Sequence, residues 1–372
     1  MPDTTDAIMP SRAKAGLIVR SERPFNAEPP LDRLRAAFQT EQADFYVRSH
    51  GNIPRLDDEA HRLRVDGLVA APLDLSMAEL RERFPARTVA AVMQCAGNRR
   101  GDLLAVAPVS GDPWSAGAIG NAAWSGAGLG EVLRAAGAPE RGAGDGLHVA
   151  FECCDDCETE GERFRYGASI PLEKAISPEV LLAWGMNGAA LAPEHGFPLR
   201  VVVPGFAGAR SPKWLSRITV QDRPSDAQPQ ARDYKLFPPG TTKETADWAR
   251  GTTIYGLPLN AAICEPALGA ALRAGPATVR GYAVASGRGV ARVDVSIDGG
   301  RSWRQAELEQ DPAAPWTWTF WRLDVELPRG ETEVAVRAWD TAGQTQPALP
   351  EDVWNFKGYL SAAWHRVRVT VG

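Results

Sequence analysis

Between about Asp222 and Pro258 the hydrophobic periodicity of the chain stops, and Pro, Asp, Gln and Thr replace it over a stretch too long for an ordinary connection. That break separates two regions that must fold by different rules. From His61 to about Val220, β runs such as Leu63-Arg64-Val65-Asp66 and Leu199-Arg200-Val201-Val202-Val203-Pro204 alternate with helical patterns at Ser76 to Phe84 and Gly130 to Ala136. After the break, Ala277 to Tyr282, Val290 to Ile297 and Thr332 to Trp339 alternate with period two and are separated by turn chemistry such as Asp298-Gly299-Gly300. The expected class is α+β: a mixed α and β domain over residues 1–240, then an all-β sandwich over 241–372, with the aperiodic stretch as both linker and functional loop. At 372 residues the chain is longer than a single core usually grows, which suits two domains.

Residues 1 to about 55 are punctuated by proline, with one short helical pattern at Leu31 to Phe38 and a strand-like run at Asp44 to Arg48. They read as a wrap around a core. A net charge of −5 gives no reason to expect nucleic acid or an acidic membrane as partner, so any anion site must be built locally. The apolar run Ala15 to Val19 is ended by Arg20, too short for a secretory core, and no run approaches membrane-spanning length. Five cysteines, an odd number, suit a reducing compartment, and a cytoplasmic protein is expected.

Chemistry concentrates at Met93-Gln94-Cys95-Ala96-Gly97-Asn98-Arg99-Arg100, where a thiol follows the apolar run Val89 to Val92 and two guanidinium groups follow the thiol. By its residues alone Cys95 is a buried inert thiol, a nucleophile activated by the arginines, or a metal ligand. A nucleophile wants a histidine base, and no local signature brings His50, His61, His148, His195 or His365 there. Alternation places Tyr46, Arg48 and His50 on one face. Cys153, Cys154 and Cys157 have a Cys-x-x-Cys spacing without a second pair to complete a zinc site, and they read as ordinary thiols.

The cysteine segment, together with motifs running from Pro24-Phe25-Asn26-Ala27-Glu28-Pro29-Pro30 to Ala363-Trp364-His365-Arg366-Val367, resembles the sulfite oxidase family of molybdenum enzymes over almost the whole chain. The resemblance implies Cys95 as the protein ligand of molybdenum held in molybdopterin, a pyranopterin dithiolene. It implies cofactor contacts from Tyr46, Arg48, His50, Asp155, His195, Arg200, Ser211 and Lys213, the last three suiting a phosphate because they combine a guanidinium fork, a hydroxyl and an ammonium. It implies a substrate pocket of Arg48, Arg100, Trp114, Tyr234 and Lys357. Two cysteines precede Asp155 where the family usually has small or apolar residues, and Lys357 stands where it generally has arginine.

The implied activity is oxidation of sulfite to sulfate by oxo transfer, with electrons passed to an external acceptor. Tyr234 favours sulfite, because related nitrate reductases typically have asparagine there. Lys357 keeps open a different oxyanion or sulfur compound, since a lysine retains charge without the planar fork. A non-catalytic binding module is the reading from another class. The sandwich is expected to be immunoglobulin-like and to form a homodimer. Family members with a haem domain carry a His-Pro-Gly-Gly turn, which this sequence lacks, so no haem is expected.

Overall fold

The computed structural model describes residues 7–8, 12–139, 146–159 and 161–372; the remainder of the expected N-terminal wrap, residues 1–6 and 9–11, lies outside the described residues. Strands dominate, and among the described residues the α-helices run to no more than seven residues. The first half nevertheless keeps its α+β character, because both expected helical patterns fold, as Met77–Arg83 and Leu129–Ala135. The first of these shows why: the Ser76 side chain accepts from the Glu79 amide while the Glu79 side chain accepts from the Ser76 amide, a reciprocal cap that fixes the start of the helix. Met77 and Leu80, three residues apart, then share its buried face.

Two sheets build this half. One has the order Glu162–Pro171, His148–Thr159, Leu215–Gln221, Arg62–Gly67 and Leu73–Ser76. The other runs Ala189–Ala190, Leu181–Met186, Ile119–Gly128 and Ala86–Gln94, with Arg200–Val202 also paired to Leu181–Met186. A core of Leu63, Val65, Phe151 and Ile218 from the first sheet, with Leu129, Val132, Leu182 and Val201 beside the second, is closed to solvent. The longest pairing of the second sheet, Ala86↔Ala127 through Gln94↔Ile119, delivers the chain to Cys95 at its end.

The second half is a sandwich of two sheets. Asn260–Glu265, Gly275–Val284, Thr319–Leu327 and Glu307–Glu309 form one; Ala271–Leu272, His365–Val371, Gly330–Asp340, Val290–Ser296 and Arg304–Gln305 form the other. Alternate residues such as Val279, Trp321, Val334, Val336 and Val367 meet between them. The Asp298 carboxylate accepts from the amides of Arg301 and Ser302 at 2.9 Å each, and Gly299 and Gly300 both adopt positive φ, which explains the residue types of that turn.

The halves interlock near Cys95. The Tyr282 hydroxyl donates to the Ala116 carbonyl at 2.8 Å, the Asn98 amide donates to the Tyr282 hydroxyl at 3.1 Å, and the Leu360 amide donates to the Ala96 carbonyl at 2.8 Å. In the wrap, Leu31–Ala36 is helical as expected. The expected strand at Asp44 to Arg48 is not: it forms one bridge, Ala27↔Val47. Side chains take over there, since the Ser49 amide donates to Asn26 Oδ1 at 2.7 Å and Lys14 Nζ donates to the Phe45 carbonyl at 2.9 Å, and both satisfy backbone groups without a ladder.

Candidate active site

At the end of Ala86–Gln94 the chain turns sharply. The Asn98 amide donates to the Cys95 carbonyl at 3.0 Å, and the Gly97 amide points at Cys95 Sγ at 3.3 Å. Cys95 is 5% exposed and packs with Met93, Trp114 and Tyr46. Burial pushes its thiol up from the ordinary value, against the pull of Arg48 and Arg100. The two arginines after the turn diverge. Arg99 adopts φ of 63°, is fully buried, pairs with Asp102 at 2.8 Å and donates to Asn260 Oδ1 of the sandwich at 2.7 Å. Arg100 donates to the carbonyls of Asp112 at 2.9 Å and Gly358 at 3.2 Å and lies 5.2 Å from the Tyr359 ring.

Of the residues named from the sequence, Tyr46, Arg48, His50, Cys95, Asp155, His195, Arg200, Ser211, Lys213 and Tyr234 line one cavity. Five separate chain segments meet there. Arg100, Trp114 and Lys357 lie outside its wall: Trp114 sits in the apolar cluster with Cys95, and Lys357 points at Asp233 Oδ1, 3.8 Å away, over the rings of Trp248 and Tyr359. The other histidines are elsewhere, His61 on the Leu215 carbonyl at 2.8 Å and His365 receiving the Ile263 amide at 3.0 Å.

The cationic side chains of the cavity spend their donors on neutral acceptors. Arg200 donates to the carbonyls of His195 and Ser211 at 2.9 Å each and to Met93 Sδ. Lys213 donates to Ser49 Oγ and to the Glu194 carbonyl, both at 2.9 Å, and Arg48 donates to the Ser49 carbonyl. Crowding and burial act on their charges: burial with the nearby Arg200 lowers Lys213 to about 7. Burial raises Asp155 to about 6 despite Lys213, and its Oδ1 has no hydrogen-bond partner among the described residues. Such a cavity is short of negative charge.

Tyr234 closes it from the long aperiodic segment. A π-helical turn, Pro229–Asp233, and the two-residue pairing of Lys235–Leu236 with Thr252–Thr253 fold that segment back, and Tyr234 is buried at 3% exposure rather than displayed to solvent. Its hydroxyl lies 2.7 Å from His50 Nε2. Burial keeps the phenol well above, and burial with Arg48 and Lys213 keeps the imidazole well below, their ordinary values, so the pair is neutral.

Several contributors escaped the sequence reading. Lys14 reaches from the wrap to His195 Nε2 at 2.7 Å, Tyr166 lies 4.7 Å from His50, ring to ring, and Tyr359 stacks on Tyr234 at 5.2 Å. Tyr359 stands two residues after Lys357, a signal within reach; Lys14 and Tyr166 carry none.

The donor set fits a metal that arrives with its own ligands and an anionic tail. Among the described residues no three of His, Cys, Asp or Glu gather to hold an ion unaided, so Cys95 offers a single thiol donor to the cavity. In the same cavity Arg200, Ser211 and Lys213 combine the donor types that suit a phosphate, and Gly208 leaves room where a Cβ would stand 2.9 Å from the Tyr46 hydroxyl.

Comparison with known proteins agrees. Residues 50–229 match the oxidoreductase molybdopterin binding domain, and residues 251–372 match the Mo-co oxidoreductase dimerisation domain. Fold and site thus define a molybdopterin-dependent oxidoreductase. The chain is 47% identical to sulfite oxidase of Gallus gallus, over 94% of this chain and 77% of that protein. It is 44% identical to mitochondrial sulfite oxidase of Homo sapiens, over 95% of this chain and 66% of that one. The sulfane dehydrogenase SoxCD from Paracoccus pantotrophus shares the fold with a TM-score of 0.80 at 26% identity, over 100% of this chain and 92% of that chain. The chain belongs to the sulfite oxidase family of molybdenum-cofactor oxidoreductases.

Proposed function

We propose that the chain oxidises sulfite to sulfate, SO₃²⁻ + H₂O giving SO₄²⁻, two protons and two electrons, the electrons leaving to an external acceptor. One observation carries the reading: a buried thiol, Cys95, and three cationic side chains, Arg48, Arg200 and Lys213, face a single cavity. When bound, the molybdenum cofactor supplies the oxygen-atom transfer and the redox capacity.

The chain's part is binding and orientation. Cys95 ligates the metal, and His195, Arg200, Ser211 and Lys213 hold the phosphate, with Tyr46 and Asp155 beside the pterin. Arg48 draws a dianion towards the Cys95 side of the cavity, where a charge-assisted hydrogen bond is worth about 1.5–3 kcal/mol, and Arg100 adds its charge from beyond the wall. Tyr234, neutral and fixed by His50, offers a hydroxyl rather than a repelling phenolate. Trp114 stiffens the Cys95 cluster, and Lys357, outside the wall beside Asp233, adds positive charge at a distance. The division near residue 240 gives cofactor chemistry to residues 1–240 and homodimerisation to residues 241–372. The expected location is the cytoplasm; among the described residues no helix is long and apolar enough to cross a membrane.

The test is reduction of ferricyanide by molybdenum-loaded protein on addition of sulfite. Saturable reduction supports the reading; none, with molybdenum present, sinks it. The engagement of Lys357 with Asp233 supports a second reading, a different oxyanion or sulfur compound at the same site, and turnover of nitrate or another sulfur substrate in preference to sulfite would establish it.

A further inference from the structure

Arg210 is a fully buried guanidinium that no part of the proposed chemistry uses. It ends the 3-10 turn Gly208–Arg210, immediately before Ser211 of the phosphate cradle. Its Nε donates to the Ile254 carbonyl at 2.8 Å, one terminal nitrogen donates to Gln230 Oε1, and the other reaches the Tyr234 carbonyl at 3.4 Å. Gln230 lies in the π-helical turn and Tyr234 directly follows it, and Ile254 donates its amide back to the Tyr234 carbonyl at 2.9 Å. The same guanidinium lies 5.9 Å from the Tyr234 ring centre and 5.4 Å from that of Tyr255. Its neighbours here are neutral oxygens and rings.

A buried cation without a carboxylate is costly, so its donors must do something that an apolar side chain of equal volume would not. Three directed donors on two strands of one loop fix that loop in rotation as well as in distance, which a single lysine nitrogen does not achieve. From the other side, the Tyr166 hydroxyl donates to the Ala209 carbonyl at 2.9 Å and its ring packs on His50, so the Gly208–Arg210 turn grips both members of the Tyr234–His50 pair.

We infer that Arg210 is a positioning residue that registers the Tyr234 loop on the phosphate-binding turn, so that cofactor binding at Ser211 and Lys213 and the placement of the Tyr234 hydroxyl are mechanically one event. This rests on the proposed role of Tyr234 at the substrate. Arg210→Lys keeps the charge and loses the fork.

Hydrogen exchange on the cofactor-free Arg210→Lys protein should show about tenfold faster exchange confined to residues 229–256, the loss of one charged hydrogen bond, with Ala86–Gln94 and Ile119–Gly128 unchanged. Unchanged exchange in the loop, or equal acceleration throughout the domain, overturns the inference. In the loaded enzyme, Arg210→Lys and Tyr234→Phe should each lower kcat/KM for sulfite, and the double variant should be no worse than Tyr234→Phe alone. Additive losses overturn it as well. A Tyr234→Phe enzyme with unchanged kcat/KM would remove Tyr234 from the chemistry and leave the exchange pattern to judge Arg210.

Discussion

Burial pushes the Cys95 thiol up, so the ligation proposed for it would release a proton as the metal binds. Cys95→Ser should therefore retain the pterin, held by Arg200 and Lys213, while turnover falls to background; sulfite oxidation persisting in that variant at full molybdenum content would take the metal away from Cys95. Lys357 offers a finer probe. Its ammonium sits 3.8 Å from Asp233, at the outer limit of an ion pair, and Lys357→Arg adds a planar fork in the same place. The apparent KM for sulfite should fall about fivefold, on the order of 1 kcal/mol. An unchanged KM would mean that position 357 serves the loop and not the substrate. The pocket residues Cys95, Arg48, Tyr234 and Lys213 were legible because each sits in a short segment whose neighbours carry the same message. Lys14 and Arg210 were not, because their meaning lies in contacts with His195, 181 positions away, and with the carbonyls of a loop, and a sequence does not show where carbonyls point.

At the scale of elements, the 3-10 turn Arg12–Gly16 belongs to the site as much as any strand does. Lys14 fills a gap behind His195 with hydrogen bonds to Phe45 and Gln42, and burial lowers it to about 8 although Glu194 and Asp44 pull the other way. Lys14→Met should weaken pterin retention about tenfold, measured as molybdenum lost during gel filtration, while activity per molybdenum stays at the wild-type value. Equal retention would reduce the turn to packing. The helices at Met77–Arg83 and Leu129–Ala135 and the sandwich strands were readable in the sequence because periodicity and caps are local signals. The run at Asp44 to Arg48 misled for the complementary reason: it alternates in residue type alone, since Asn26 and Lys14 satisfy backbone groups there and the adjacent Phe45 and Tyr46 line the same cavity.

Across the whole molecule the buried charges of the cavity leave a mark on stability. Between about pH 7 and the ordinary lysine value the folded chain has released the Lys213 proton that the unfolded chain still binds, so stability rises with pH in that window; Lys14 acts likewise from about 8. Asp155 acts oppositely lower down, since between the ordinary aspartate value and about 6 the folded chain keeps a proton that the unfolded chain has lost, and stability falls as pH rises. Buried histidines held below their ordinary value, His50 and His195 foremost, outweigh Asp155 there, because below about pH 6.5 the unfolded chain binds protons that they refuse. The cofactor-free protein should accordingly gain thermal stability on going from pH 7 to pH 9. The loaded protein, its lysines held charged by phosphate, should follow a flatter course. Thermal midpoints of both forms across that range decide it, and parallel curves would separate these lysines from the phosphate.

Arg99 binds the two halves in a way that bears on anyone who would shorten the protein. Its positive φ and its buried guanidinium, anchored on Asn260 and on the Ala261 carbonyl at 3.2 Å, mean that the turn presenting Cys95 rests on the sandwich as on a floor. A minimal enzyme cut at residue 240 would keep every cavity residue yet lose the support under Cys95, and the freed guanidinium would be left to find water by unravelling the turn. The smallest working unit is therefore the complete pair of halves, and the sandwich is a foundation for the reaction vessel, though no part of its wall.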